Sequence, residues 1–337
     1  MAVYFNSEIN RRSSNEDSYC DLKLRINHEA SVHIMSVADG MGGLSAGKYY
    51  SRAAVRLLNE KLLHLIMDDS FRGSSLDEQT ELLTQFCRKV FQEINHELYT
   101  GGLNAGVKGG TTLSLVIRFW HRYIIANCGD SPVYYMKDGN LHLACDIQNA
   151  AWHMVLEGRA KEGSLLYYQN KSRLLQYLGR REAVTPHLLV LEEDKADCIL
   201  LGTDGVFGNL TNDQIARILV QEKNGQEALK ALFEYARDGG EEDNQTAILY
   251  VRDSGRPNKG IVKESEAVKK EMAKGLDMTK GEEEAGNLSL KEVEVTQNED
   301  LYSKESVVSG SYRSVSTRTG VLWSLLLRRH KSGGKKK

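Results

Sequence analysis

Apolar and polar positions alternate in short, well-separated blocks over the first three quarters of the chain. The blocks predict strands at SVHIMSVAD (31–39), TTLSLVIRF (111–119), RYIIANCGD (122–130), SPVYYMKDGNLHLA (131–144), DCILLGTD (197–204) and NQTAILYVRD (244–253). Asp138-Gly139, between VYYMK and NLHLA, is a good hairpin turn. Apolar residues recurring every three to four positions predict amphipathic helices over 49–69 and 75–100 and, as TNDQIARILVQE with GQEALKALFEYARDGG, within 211–240, with Thr211 and Asp213 as candidate caps of the last group. The strands come in meanders and do not alternate singly with helices. That favours antiparallel sheets over a doubly wound parallel sheet. Two sheets face to face, covered by helices on both outer faces, account for the pattern: an α+β protein built as a four-layer α-β-β-α sandwich.

Composition divides the chain near Asp253. Residues 1–253 read as the folded domain, and 254–337, rich in charge and poor in aromatics, as a mostly disordered tail. A weak helix through Val262, Val268, Met272 and Leu276 is opposed by Gly275. Beyond Glu305 the chain has no acid, and GVLWSLLLRRHKSGGKKK joins a short apolar patch to a basic cluster. The patch is too short to span a bilayer; it suits weak contact with an anionic membrane surface, and equally a solvated tail.

The rest of the composition narrows the class. Hydrophobic residues make up 41% and charged residues 27%, ordinary for a soluble globular protein, and a net charge of −2 gives no reason to expect nucleic acid as a partner. MAVYFNSEINRR lacks the pattern of a secretory signal. Cys20, Cys87, Cys128, Cys145 and Cys198 are scattered without CxxC spacing, which points to reduced thiols in a cytoplasmic protein and away from a disulfide framework or a zinc site.

Acids recur where apolar strands end. Asp39 closes SVAD before Gly40, Asp130 closes ANCGD, Asp204 closes ILLGTD, and Asp243 opens the last strand; Glu16 and Asp17 stand where another short strand would begin. Each alone is common turn chemistry. Four acids converging on one sheet edge would repel unless a cation compensated them, and hard divalent ions, Mg²⁺ or Mn²⁺, suit oxygen donors. No His or Cys has the spacing for zinc. Glycine after Asp39 lets a backbone carbonyl turn toward such an ion, with Gly42 and Gly43 keeping the site open.

Six stretches in this order, RSSNEDSY (12–19), VADGMGG (37–43), GGTTLSLVI (109–117), ANCGDSPVYY (126–135), LLGTDGVFGNLTNDQI (200–215) and EEDNQTAILYV (241–251), resemble the metal-dependent Ser/Thr protein phosphatases of the protein phosphatase 2C type in their bacterial form. The resemblance covers nearly all of 1–253 and none of the tail. It implies a sandwich with a metal centre at one end and hydrolysis of phosphoserine and phosphothreonine in proteins, opposing a Ser/Thr kinase. By that resemblance Asp39 would bridge two Mn²⁺ or Mg²⁺ ions, the Gly40 carbonyl would bind the first, and Asp204 and Asp243 the second. Glu16 and Asp17 would hold waters of the outer shell, Arg12 would grip the phosphate, and Asp130 with Asp204 would bind a third, weaker ion. A metal-activated water would attack phosphorus in line, with no phosphoenzyme. A monomer is expected, in the cytoplasm or peripheral at the inner membrane face.

The chain departs from the family in three places. Met41 stands where animal members carry histidine. Pro132 replaces the usual arginine after GDS. Ile147 after Asp146 breaks an Asp-His step at the start of the family's mobile flap, here 146–179 with a helical WHMVLEGRAKEG. These departures keep open a second reading, a weak or inactive phosphatase-fold module that binds phosphopeptides. Among other polar residues, Arg11 reads as a solvated neighbour of Arg12, and His33 as a satisfied core residue. His28, His121 and His142 read as turn or surface positions. GGTTLS lacks the phosphate-loop pattern and in this family begins a strand, and Tyr134-Tyr135 reads as strand packing.

Overall fold

The computed structural model describes residues 2–26, 28, 30–42 and 46–252. The expected tail, its weak helix and its basic apolar end lie outside the described residues, as do Gly43 and Asp253.

Strand β1 (Ala2–Glu8) leads through a loop holding Arg12 and Glu16 into β2 (Ser18–Arg25) and β3 (Ser31–Ala38), followed by the two-residue β4 (Gly40–Met41). Helix α1 (Ala46–Met67), the brief α2 (Asp69–Gly73) and the long α3 (Leu76–Ala105) come next. A run of strands follows: β5 (Gly110–Thr111), β6 (Leu113–Phe119), β7 (Arg122–Cys128), β8 (Val133–Lys137) and β9 (Asn140–Leu143). Segment 146–179 carries α4 (Ala150–Leu156) and α5 (Leu165–Asn170). Then come β10 (His187–Glu192), β11 (Cys198–Gly202), α6 (Asp204–Phe207), α7 (Asn212–Gln221), α8 (Gly225–Asp238) and β12 (Gln245–Val251).

The strands form two five-stranded sheets, ordered β1-β12-β11-β8-β9 and β10-β7-β6-β3-β2, with every pairing antiparallel, plus the small β4–β5 pair. Three apolar cores hold four layers together. Leu58, Leu62, Phe91 and Ile94 of α1 and α3 pack on Ile34, Ile117 and Ile124 of one sheet. Leu229, Leu232 and Phe233 of α8, with Ile215 of α7, pack on Leu200 and Leu249 of the other. Between the sheets lie Met35, Val37, Val116, Ile199, Leu201 and Ile248. Side chains of a strand alternate faces, so a strand covered on both sides must be apolar throughout. That is why β3, with Ile34 in one core and Met35 in the next, reads as an almost unbroken apolar run.

Local signals set the helix limits. The helix expected over 49–69 runs Ala46–Met67, because Asp68 accepts the Ser70 N–H and starts α2. Ser75 and Glu78 form a capping box at α3, and Thr211 and Gln214 form one at α7, so Thr211 and not Asp213 is the cap. The two patterns expected within 211–240 are α7 and α8, the second opened by Asn224, which accepts from the Gln226 and Glu227 N–H groups. The Asp138-Gly139 hairpin is present, with φ of 50° and 81°. Strands β1 and β10 were not expected; both are sheet edges, half-buried and without clean alternation.

Candidate metal centre

Four acids meet at one end of the sandwich. Asp39 follows β3 and Asp130 follows β7, both from one sheet; Asp204 follows β11 and Asp243 precedes β12 by two residues, both from the other. They line a cavity of about 400 Å³ together with Arg12, Glu16 and Gly40. Met41, Gly42, Thr112 and Asn244 also line it, as do Ser172 and Leu174 of segment 146–179. Asp17 does not line the cavity. It is buried beside it, where Thr203 Oγ1 donates to Oδ2 at 2.9 Å while Oδ1 has no partner.

Backbone chemistry fixes each acid. The Asp39 N–H donates to Thr112 Oγ1 at 2.9 Å, and the Asp39 carbonyl accepts from Thr111 Oγ1 at 2.8 Å and from the Thr112 N–H at 2.9 Å. GGTT therefore does more than begin a strand; it clamps the residue opposite. Asn149 Nδ2 donates to Asp130 Oδ2 at 3.2 Å. Asn244 is a hub: its Oδ1 accepts the Glu16 N–H at 2.8 Å, and its Nδ2 donates to the carbonyls of Ile9 and Ser14 at 2.9 and 3.0 Å. Arg12 donates to Asp243 Oδ2 at 2.7 Å, whereas Arg11 pairs with Glu242 at the exposed surface. Among these supports the sequence reading missed Asn244, Asn149, Thr111 and Thr112. Polar residues adjoining strand-end acids were the available signal.

Gly40 is explained by packing as much as by openness. A Cβ on Gly40 would fall on the Gly47 carbonyl and within 2.6 Å of the Glu16 carbonyl; one on Gly47 would meet the Glu16 carboxylate and the Gly40 backbone. The two glycines let the first turn of α1 touch the strand end that bears Asp39.

The electrostatics suit a hard cation. Burial, then the neighbouring Asp17 and Asp204, holds the Asp39 carboxyl well above the usual carboxylate range. Burial pushes Asp17 and Asp130 each up to about 7, and burial followed by Asp243 raises Asp204. Protons oppose this clustering of charge, and a divalent ion would reverse it by favouring the ionised form. Among the described residues no three acidic, His or Cys side chains close on one point. An Mg²⁺- or Mn²⁺-type ion keeps several waters and needs only one or two carboxylates, so this open donor set and the orphaned Asp17 oxygen fit such an ion.

The remaining polar residues have ordinary roles. His33 is buried against Asp21 at 2.5 Å, edge-on to Tyr250, and His28, His121 and His142 are exposed. Tyr134 packs on Phe207, and Tyr135 stacks on His142. The buried Pro132 passes its carbonyl to the Gly202 N–H at 3.3 Å, joining the ends of β8 and β11. All five cysteines are free. Among the described residues no helix is long and apolar enough to cross a membrane.

Residues 6–247 match the family described as protein phosphatase 2C. The Serine/threonine phosphatase stp of Listeria monocytogenes is 29% identical over 223 residues, which are 65% of this chain and 84% of that protein. The crystal structure of Serine/threonine phosphatase Stp1 from Staphylococcus aureus superposes with a TM-score of 0.64 at 25% identity, covering 74% of this chain and 94% of that one. The S. agalactiae serine/threonine phosphatase superposes with a TM-score of 0.62 at 26% identity, over 74% of this chain and 99% of that one.

Proposed function

The chain belongs to the protein phosphatase 2C family, and from that premise we propose that it is a metal-dependent protein-serine/threonine phosphatase whose reaction takes place in the cavity between Asp39 and Arg12. The observation that carries the reading is the meeting of Asp39, Asp130, Asp204 and Asp243, drawn from strand ends of both sheets, in one cavity with a single arginine on its wall.

Asp39, the Gly40 carbonyl, Asp204 and Asp243 would hold two Mn²⁺ or Mg²⁺ ions, and Asp130 with Asp204 a third and weaker one. Glu16 and Asp17 would orient waters behind them. When bound, the ions supply Lewis acidity toward phosphoryl oxygens and activate a water for in-line attack. Thr111, Thr112 and Asn149 keep Asp39 and Asp130 from reorienting as charge builds. Arg12 is fixed at one end by Asp243, and its planar fork suits two oxygens of a phosphate. Met41 beside Gly40 offers no proton, so that position does not protonate the leaving serine or threonine oxygen, and water is the donor assigned on this reading. Phosphoproteins are the substrates, and a Ser/Thr kinase is the counterpart this chemistry requires.

Purified protein is expected to hydrolyse a phosphothreonine peptide with Mn²⁺ and to lose that activity in EDTA or as Asp39→Ala or Asp204→Ala. Phosphoserine, phosphothreonine and phosphotyrosine peptides assayed side by side define the substrate class. Turnover without metal would overturn the mechanism.

A further inference from the structure

Lys48, Arg52 and Lys108 stand beside the cavity with no acid to match them. Lys48 follows Gly47, the α1 residue that packs against Gly40 and the Glu16 carboxylate on the cavity wall. Arg52 lies four residues further along α1, so the two share a helix face, Lys48 half-buried and Arg52 exposed. Lys108 comes to the same side from the loop after α3: its carbonyl lies 3.1 Å from where a Cβ on the cavity residue Gly42 would fall. Tyr50 Oη donates to the neighbouring Val107 carbonyl at 3.1 Å and so ties that loop to α1. Among the described residues, none of these three cationic side chains has an acidic partner. By contrast Arg11, Arg12 and Lys171 are matched with Glu242, Asp243 and Glu241.

The cavity itself is lined by carboxyls, Glu16 and the four aspartates, which repel an acidic peptide. A peptide whose acids fall on Lys48, Arg52 and Lys108 meets the opposite sign, and the exposed Tyr49, Leu103 and Val107 of the same elements offer it apolar surface. We propose that Lys48, Arg52 and Lys108 form a docking rim for a phosphoprotein segment that carries Asp or Glu beside its phosphorylated residue. Acidic flanks then set substrate preference through association and binding, while hydrolysis stays with the cavity residues. The inference rests on the phosphatase reading above.

The test uses full-length protein as the Lys48→Gln/Arg52→Gln/Lys108→Gln rim variant. Its control, Lys195→Gln/Arg217→Gln/Lys223→Gln, removes the same charge from exposed positions elsewhere. With Mn²⁺, wild type should show a KM for a glutamate-flanked phosphothreonine peptide on the order of tenfold below that for its glutamine-flanked twin, a few-fold per exposed ion pair. The rim variant should erase that ratio and leave the neutral peptide and 4-nitrophenyl phosphate unchanged, and the control should keep it. Potassium chloride at about 0.5 M should shrink the wild-type ratio in the same way. Fluorescence anisotropy with the unphosphorylated acidic peptide reads docking without turnover, and at low salt wild type should bind it more tightly than the rim variant. A ratio preserved in the rim variant, an equal loss in the control, or a rise in KM for both peptides alike would each overturn the proposal. Failure of the wild type to hydrolyse either peptide in Mn²⁺ would instead strike the phosphatase reading, and the anisotropy comparison would still decide the rim.

Discussion

Raising the pH of the chelated protein from 5 to 8 should destabilise it, because its buried acids resist ionisation. Asp17 and Asp130 move from 3.8 in the free side chain to about 7 in the fold, driven first by burial. A folded-state value above the unfolded one contributes stability that is full below about pH 4 and is lost as pH rises through about 7. For one such carboxyl the whole contribution is about 4 kcal/mol, of which about 3 kcal/mol disappears between pH 5 and pH 8. The two acids share one charge cluster, so the expected loss is that of a single group. For a domain of this size it corresponds to a fall in Tm of about 6–12 °C. Calorimetric or circular-dichroism melts in EDTA across pH 5–8 read it directly, above the range where exposed carboxylates titrate. Mn²⁺ should reverse the trend, raising Tm more at pH 8 than at pH 5, because it binds ionised acids. Asp17→Asn with Asp130→Asn should make the chelated profile shallower, Asp39 and Asp204 keeping part of the slope. A double variant that keeps the full slope, or a wild type that melts alike at pH 5 and pH 8 in EDTA, would refute the reasoning.

Three further outcomes are expected. Asn244→Ala removes three hydrogen bonds that tie the Arg12–Glu16 loop to β12, and should cost about 2–3 kcal/mol in urea unfolding with a larger loss of kcat/KM. Thr112→Val leaves the Asp39 N–H without its acceptor and should weaken Mn²⁺ binding about tenfold in titration, at a cost of about 1–2 kcal/mol in stability. Gly47→Ala drives a methyl into the Gly40 backbone and the Glu16 carboxylate, so it should abolish hydrolysis while far-UV circular dichroism still reports both sheets and helices.

The layered architecture was legible because the strands that carry it are buried on both faces or paired in short meanders, and their apolar runs survive any local variation. Edge strands β1 and β10 were not, since an edge needs only half its residues buried and accommodates polar residues such as Asn6 and Ser7, which hydrogen-bond to Glu8 and Thr246. The acids were visible because each stands beside an apolar run; that they meet follows from antiparallel pairing, which brings the end of β11 beside the start of β12. The supports were harder to see. Asn244 and Thr112 act through backbone groups far away in sequence, and a polar residue in a strand flank has many cheaper uses. The reason for Gly40 was only half visible, because its close neighbour Gly47 is a helical residue with no local signature.

The origin of the acids in two different sheets has a mechanical consequence. Asp39 leaves one sheet, Asp204 and Asp243 flank strands of the other, and Asp130 sits in the loop crossing between them, so the filling between the sheets is also the spacer that sets the jaw opening of the site. Trimming Val37 or Ile248, or enlarging either, alters that gauge without touching any acid. On the proposed two-ion reading, ion preference would depend partly on hydrocarbon volume, and a library of volume changes in this inner layer is expected to shift the Mg²⁺-to-Mn²⁺ balance before it costs the fold.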